Sequence, residues 1–125
     1  MTHTKIYNYP IYACKIKFIL TDDFINIVAK WYKKNNLQSQ EEIVESEGIV
    51  LYQSIDDYTL LINTNYLTYN TINHELYHLT RELAEPRSIF EIEAQAWIMG
   101  NLSQIFYSFI NKKQLTIKCN INFLK

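Results

Sequence analysis

Residues 71–84 read TINHELYHLTRELA and contain the motif H-E-x-x-H, whose chemistry depends on the local fold. Apolar residues recur in this stretch at the three- and four-residue spacing of an amphipathic helix, at Ile72, Leu76, Leu79 and Leu83. His74 and His78 fall on the opposite side of that helix. Asn70 or Thr71 is suited to cap its start, and Pro86 prevents its continuation past about residue 85. The stretch therefore predicts a bounded helix with both histidines on its polar face.

The two histidines are spaced for metal binding. Side chains four residues apart on a helix lie one turn apart on the same face, so His74 and His78 can reach a single zinc ion. Glu75 projects beside them, where it can accept a proton from a water without being a ligand. The alternative is a surface helix that carries two histidines by chance, because the motif is short.

Length and composition predict a single globular domain that comprises residues 1–125. Hydrophobic residues make up 48% of the chain, which excludes a disordered tail, and the net charge of −1 without a dense basic run argues against nucleic acid as the main partner. No signal peptide or membrane span is visible, so we expect a cytoplasmic protein without a membrane partner. Cys14 and Cys119 are expected to be reduced, buried thiols.

The order of elements indicates the fold class. The patterns first predict a strand within 5–18 that is started or interrupted at Pro10, a helix at 22–34, and a hairpin of strands 49–53 and 59–63. The H-E-x-x-H helix follows. After it the patterns predict a long helix at about 88–111, which starts with the capping box Ser88-x-x-Glu91, and a last strand within 115–123. This order, β-α-β-β-α-α-β, predicts an α+β fold in which a short sheet packs on helices. The strand before the H-E-x-x-H helix could hold an extended peptide along its edge or be purely structural.

A catalytic zinc site needs a third protein ligand. The only other histidine, His3, lies near the start of the chain, so a carboxylate of the following helix is expected, either Glu93 or Glu91. We expect Glu93, because it comes level with His78 in a tight helical hairpin and shares its face with small residues, Ala96, Gly100 and Ser103, that allow a close approach. Glu91 remains the alternative, although the capping box already gives it a role.

These motifs resemble a known family. His74-Glu75-Leu76-Tyr77-His78, followed by Glu93 with Ala94, Ala96, Trp97, Ile98 and Gly100, is similar to the gluzincin pattern of zinc metallopeptidases, and in particular to ImmA/IrrE-like metallopeptidases and small zincin-like proteins of bacteriophages. The resemblance covers about residues 70–105 and implies a small zincin-like (minigluzincin) domain. It departs at Trp97, where large gluzincins have an aspartate that orients the first histidine.

The resemblance implies a zinc metallopeptidase that acts on a protein or peptide substrate. Zn²⁺ would be held by His74, His78 and Glu93, with Glu75 as the general base, and a further donor among Tyr66, Tyr69, Tyr107 and Arg81 would stabilise the oxyanion. If the chain is phage-encoded, it would act in the host cytoplasm or the virion. The alternatives are a noncatalytic protein that zinc stabilises, such as a phage structural or assembly component, and a metal-free interaction module.

Overall fold

The computed structural model describes residues 1–38 and 42–119. The described elements are β1 (Thr2–Tyr9), β2 (Cys14–Thr21), α1 (Phe24–Lys34), β3 (Gly48–Ser54), β4 (Asp57–Asn63), α2 (Tyr69–Ala84) and α3 (Ile92–Lys112), with short 3₁₀ helices at Thr64–Tyr66 and Glu85–Arg87. Strands and helices are both present and partly segregated along the chain, which confirms the predicted α+β class.

The four strands form one mixed sheet in the order β1-β2-β4-β3. Two antiparallel hairpins, β1–β2 and β3–β4, meet at a parallel pair in which Lys15 is opposite Asp57 and Leu20 is opposite Ile62. A parallel pair needs a crossover connection, and here the crossover contains α1 and β3. Among the described strands, β3 consequently lies at one edge of the sheet, next to β4 only.

Side-chain alternation gives the sheet two different faces. Ile16, Phe18 and Leu20 of β2 point into the main core, which α2 and α3 close with buried leucine, isoleucine and phenylalanine side chains. Ile19 and Leu61 point to the opposite face, where they pack against Phe24 and Val28 of α1. The molecule is thus layered, with α1 on one side of the sheet and the α2–α3 pair on the other. Within residues 1–38 and 42–119, no helix has both the length and the apolar character needed to cross a membrane.

The N-terminal strand prediction is wrong in one respect, since residues 5–18 belong to two strands. The chain reverses between Tyr9 and Cys14, which face each other at the end of the β1–β2 hairpin, and Ala13 takes a positive φ of 50° in the turn. Pro10 marks this turn because it has no N–H to donate to a strand ladder. The observed element order is β-β-α-β-β-α-α.

The predicted start of α3 is also wrong. Ser88 adopts a left-handed conformation (φ 58°, ψ 34°) after the Glu85–Arg87 turn, so it cannot begin a helix. The helix begins at Ile92, and Glu91, which precedes it, makes no side-chain capping bond. The Ser88–Glu91 capping box is therefore not formed, and Glu93 lies in the first turn of α3 instead of the second.

The end of the chain differs from the prediction as well. The predicted strand at 115–123 is not formed over its described part, where Lys118 makes only an isolated bridge to Thr68, and the remaining positions lie outside the described residues. Leu115 and Ile117 instead pack against the main core, which explains their apolar character without sheet pairing. Cys14 is a buried free thiol as expected, whereas Cys119 is free but exposed.

Candidate metal centre on α2

Helix α2 orients the two histidines through the packing of its other face. Leu76, Leu79 and Leu83 are fully buried against the sheet and α3. The helix starts one turn earlier than the motif, where the Thr68 hydroxyl accepts a hydrogen bond from the Thr71 N–H. The predicted caps at Asn70 and Thr71 are thus replaced by Thr68, and the predicted end before Pro86 is confirmed.

His74 and His78 lie together on the exposed face of α2. Their Nε2 atoms are 3.1 Å apart and their rings meet edge to face at 4.6 Å. Two nitrogens bound to one zinc ion at about 2.0–2.1 Å subtend an angle of roughly 100° at that separation, which is close to the tetrahedral angle that zinc prefers. The pair therefore fits two ligand positions of one metal ion.

Glu75 lies behind the pair and is nearly buried, with 7% of its surface exposed. Its Oε1 is 3.9 Å from His74 Nε2. Burial raises the pKa of the Glu75 carboxyl, because removal from water disfavours the charged form more than the neighbouring His78 and His74 favour it, and nearby Glu47 raises it further. A carboxylate with a raised pKa is a better proton acceptor than an exposed one.

Strand β3 approaches α2 closely at Glu75. A Cβ atom placed on Gly48 would lie 2.8 Å from Glu75 Cγ, so only glycine leaves room for this contact. Glu47, one residue earlier, accepts a hydrogen bond from the Thr71 hydroxyl at 3.3 Å. The edge strand therefore begins beside the residue proposed as general base. Sequence reasoning missed Gly48, whose only signal is a lone glycine at the start of an apolar run.

The two carboxylates expected as third ligand lie elsewhere. Within the part of the chain that the structure describes, no third histidine, cysteine, aspartate or glutamate joins the His74–His78 pair in a three-residue metal group. Glu91 and Glu93 are both exposed at the start of α3.

The packing of α3 on α2 explains the position of Glu93. Helix α3 buries the stripe that contains Ile98, Leu102 and Phe109. The small-residue face shared by Glu93 is open, since a Cβ on Gly100 would meet nothing within 4 Å, so the expectation that α2 packs on that face is wrong. Later turns of α3 contact the histidine-bearing part of α2, where the Tyr107 hydroxyl donates to Asn73 Oδ1 at 2.9 Å.

The predicted oxyanion donors differ in their surroundings. Tyr107, paired with Asn73, also packs on Tyr69, with ring centroids 6.0 Å apart, so these two tyrosines lie near the first turns of α2. Arg81 is bound to the Glu85 carboxylate and to the Tyr77 hydroxyl along the exposed face of α2. The Tyr107 hydroxyl and the Arg81 guanidinium thus already have hydrogen-bond partners within the chain, whereas Tyr69 makes only a ring contact here and Tyr66 is exposed.

The chain matches no known protein family, no curated protein and no solved structure at a significant level of similarity.

Proposed function

We propose that this chain is a zinc-dependent metallopeptidase that hydrolyses peptide bonds, with His74 and His78 as metal ligands and Glu75 as the general base. The observation that supports it best is the arrangement on α2, in which two imidazole nitrogens lie 3.1 Å apart on an open surface with a nearly buried carboxylate directly behind them. The H-E-x-x-H motif requires this geometry for metal-assisted hydrolysis.

Bound zinc lowers the pKa of a water towards 7 and polarises a carbonyl oxygen. Glu75 would accept a proton from the attacking water at its carboxylate and return it to the leaving amine, which restores the carboxylate for the next cycle. Its raised pKa suits both transfers. The outer edge of β3, which begins beside Glu75, would hold an extended peptide by main-chain hydrogen bonds.

Glu93 remains the proposed third ligand, with Glu91 as the alternative. Neither carboxylate is next to the histidines in the structure, so the zinc content of the Glu93→Ala and Glu91→Ala variants tests which of them is the third ligand. Glu91 belongs to the non-helical segment 88–91 and Glu93 lies two residues after it, so a change in backbone conformation there would move both relative to α2.

The experiment is metal analysis of the purified protein by elemental mass spectrometry, followed by peptide-library cleavage. We expect near-stoichiometric zinc in the wild type, loss of zinc in His74→Ala, His78→Ala and Glu93→Ala, and retention in His3→Ala, the matched histidine control on β1. Glu75→Gln should keep the metal and abolish turnover. Undiminished cleavage by Glu75→Gln would refute the catalytic assignment, and zinc lost with Glu91→Ala but kept in Glu93→Ala would transfer the third ligand to Glu91.

A second candidate function is a noncatalytic protein that uses zinc for stability, as in a phage or mobile-element assembly component. It is favoured by Trp97, which is 54% exposed at the position where large gluzincins have the aspartate that orients the first histidine. This candidate predicts bound zinc, no hydrolysis of any peptide pool and unfolding when a chelator is added. A wild type without metal would favour the metal-free interaction module instead.

A further inference from the structure

A second concave surface lies on the opposite face of the sheet from the histidines. It is a cleft of about 610 Å³ between the open part of the sheet and the last turns of α1. Helix α1 covers Ile19 and Leu61, whereas Lys15 of β2 and Asp57 of β4, nearer the other end of the strands, are exposed. The volume is in the range of small-molecule sites, and the cleft does not include any residue of α2 or α3.

The lining of this cleft is strongly basic. Its charged residues are Lys15 and Lys17 of β2, Lys30 and Lys34 of α1, and Asp57 of β4. Among the described residues of the lining, four lysines against one aspartate leave three net positive charges, although the whole chain has a net charge of −1. The aspartate neutralises only one of the cations, since its Oδ2 lies 3.5 Å from Lys15 Nζ. Such a concentration of one sign raises the local concentration of anions.

The lysines stand in two rows on facing walls. Lys15 and Lys17 are two residues apart on a strand, which separates them by about 7 Å, and Lys30 and Lys34 are one helical turn apart, about 6 Å along the axis. Successive phosphates of a nucleotide strand are separated by a similar distance. Because the rows come from segments distant in sequence, the basic cluster forms only in the folded chain.

An aromatic ring and neutral polar groups complete the lining. Trp31 follows Lys30 on α1 and is half-buried, and its ring meets that of Tyr32 edge to face with the centroids 5.1 Å apart. A fixed indole ring of this kind can stack on a nucleobase, and Arg or Lys beside it can bind phosphate. Gln53 and Asn35 add amide groups that can bind the sugar or the base edge.

We propose that this cleft binds a nucleotide, either free or at the end of a single-stranded nucleic acid, with the lysines on the phosphates and Trp31 on the base. A nucleotide would use both the aromatic ring and the cations on both sides of the cleft, whereas an acidic peptide would use only the cations. This proposal departs from the prediction, drawn from the net charge of −1 and the absence of a dense basic run, that nucleic acid is not the main partner.

The test is a fluorescence titration in which Trp31 is the only tryptophan. The chain has two tryptophans, so the background is Trp97→Phe, a change at an exposed position of α3. The probes are ATP, a short oligothymidylate, adenosine and an oligoglutamate, all with EDTA present so that metal at the histidine pair does not contribute. We expect quenching by ATP and the oligothymidylate, and much weaker binding of adenosine and oligoglutamate.

Lysine variants identify the site. The double variant Lys30→Gln with Lys34→Gln removes two phosphate contacts on the exposed side of α1. It should weaken oligothymidylate binding about tenfold or more at 0.1 M salt. It should also reduce the slope of log affinity against log salt by about 1.4. The matched control is Lys5→Gln with Lys33→Gln, which removes the same charge from a strand and from α1 outside the cleft and should leave the affinity within about twofold. A single Lys17→Gln change on the opposite wall should give part of the same loss.

The possible results separate the alternatives. Tight binding of oligoglutamate with no preference for nucleotides would overturn the proposal in favour of an acidic peptide. An equal loss of oligothymidylate affinity in the control pair would overturn the proposal, because it would show that the lysines act only through the net charge of the chain. The absence of quenching by every nucleotide would exclude a nucleotide site in this cleft. Circular dichroism in the same EDTA buffer must show the folded chain, because a chain that zinc stabilises would unfold there. With that control, none of these results depends on zinc binding or peptidase activity.

Discussion

Replacement of the two glycines of this chain by alanine should change stability in opposite directions. The φ angle is not positive at either glycine, so alanine meets no backbone strain and the difference comes from the space around the new methyl group. At Gly48 that group would lie 2.8 Å from Glu75 Cγ, 3.0 Å from Ile62 Cδ1 and 3.0 Å from the Leu61 carbonyl oxygen. At Gly100, in the middle of α3, it would meet nothing within 4 Å.

The magnitudes follow from these surroundings. Extra volume in a packed interior costs about 1–3 kcal/mol, and the contact with the Leu61 carbonyl involves backbone, which yields less readily than a flexible side chain. Gly100→Ala should stabilise the protein by about 0.5–1 kcal/mol, because glycine in a helix interior has a greater entropic cost than alanine. For a chain of 125 residues, 1 kcal/mol corresponds to about 4 °C in Tm, so we expect about −8 °C for Gly48→Ala and about +3 °C for Gly100→Ala.

The assay is thermal and urea unfolding of the metal-free protein, followed by circular dichroism. Unfolding of Gly48→Ala at or above the wild-type temperature would refute the close approach of β3 to Glu75, whereas a loss of stability in Gly100→Ala would refute the open face of α3. The first substitution also displaces Glu75, so under the proposed function it should lower kcat while zinc binding by the histidines is retained.

Two further predictions concern buried polar groups. The Tyr9 hydroxyl is buried without a hydrogen-bond partner among the described residues, so Tyr9→Phe should raise the free energy of unfolding by about 1 kcal/mol at pH 7, measured by urea titration; a loss above about 1 kcal/mol would mean that the hydroxyl is bound. Burial, and after it the nearby Tyr12, Tyr7 and Cys14, raises the pKa of Tyr9 to about 12. Between pH 10 and 12 the unfolded chain therefore releases the Tyr9 proton before the folded chain does, so the free energy of unfolding falls as the pH rises through that interval, whereas below pH 10 this proton leaves it unchanged. We expect the wild type to lose about 2 kcal/mol more than Tyr9→Phe over that interval, and parallel pH profiles would contradict this. Thr68→Ala should cost about 1 kcal/mol by removing the cap of α2, with Thr68→Ser restoring most of it; equal stability of the alanine variant would show that the cap is not needed.

Patterns among residues close in sequence were sufficient to predict helix α2 and the β3–β4 hairpin. The stripe of leucines in α2, its end before Pro86 and the β3–β4 hairpin all follow from periodicity and turn residues close in sequence, and each is confirmed. The side-by-side placement of His74 and His78 follows from helix geometry alone and is present in the structure as well.

Non-local contacts decided the parts that the sequence did not predict. The connection before α3 is fixed by Arg87, which donates to the carbonyl oxygens of Leu83 and Ile55 and to the Tyr58 hydroxyl, and this arrangement places Ser88 in a left-handed conformation despite its capping motif. The position of Glu93 depends on that connection. The basic cleft was equally hidden, because its lysines converge only through the pairing of β2 with β4 and the packing of α1.

The single parallel pair between β2 and β4 also has a consequence for how the chain folds. Each hairpin pairs residues near in sequence and can form within about 1–10 μs, but the seam between them joins Lys15 to Asp57, 42 positions later. Distant pairings of this kind form late, because the intervening chain must be ordered before any contact compensates for it. The leucine face of α2 packs on both sides of that seam, at Phe18 and Leu60 among others. His74 and His78 share one helix and can pair as soon as α2 forms, whereas the close contact of Glu75 with Gly48 needs β3 and is completed only when the sheet is assembled. The metal ligands can therefore come together before the buried carboxylate beside them is fixed in place.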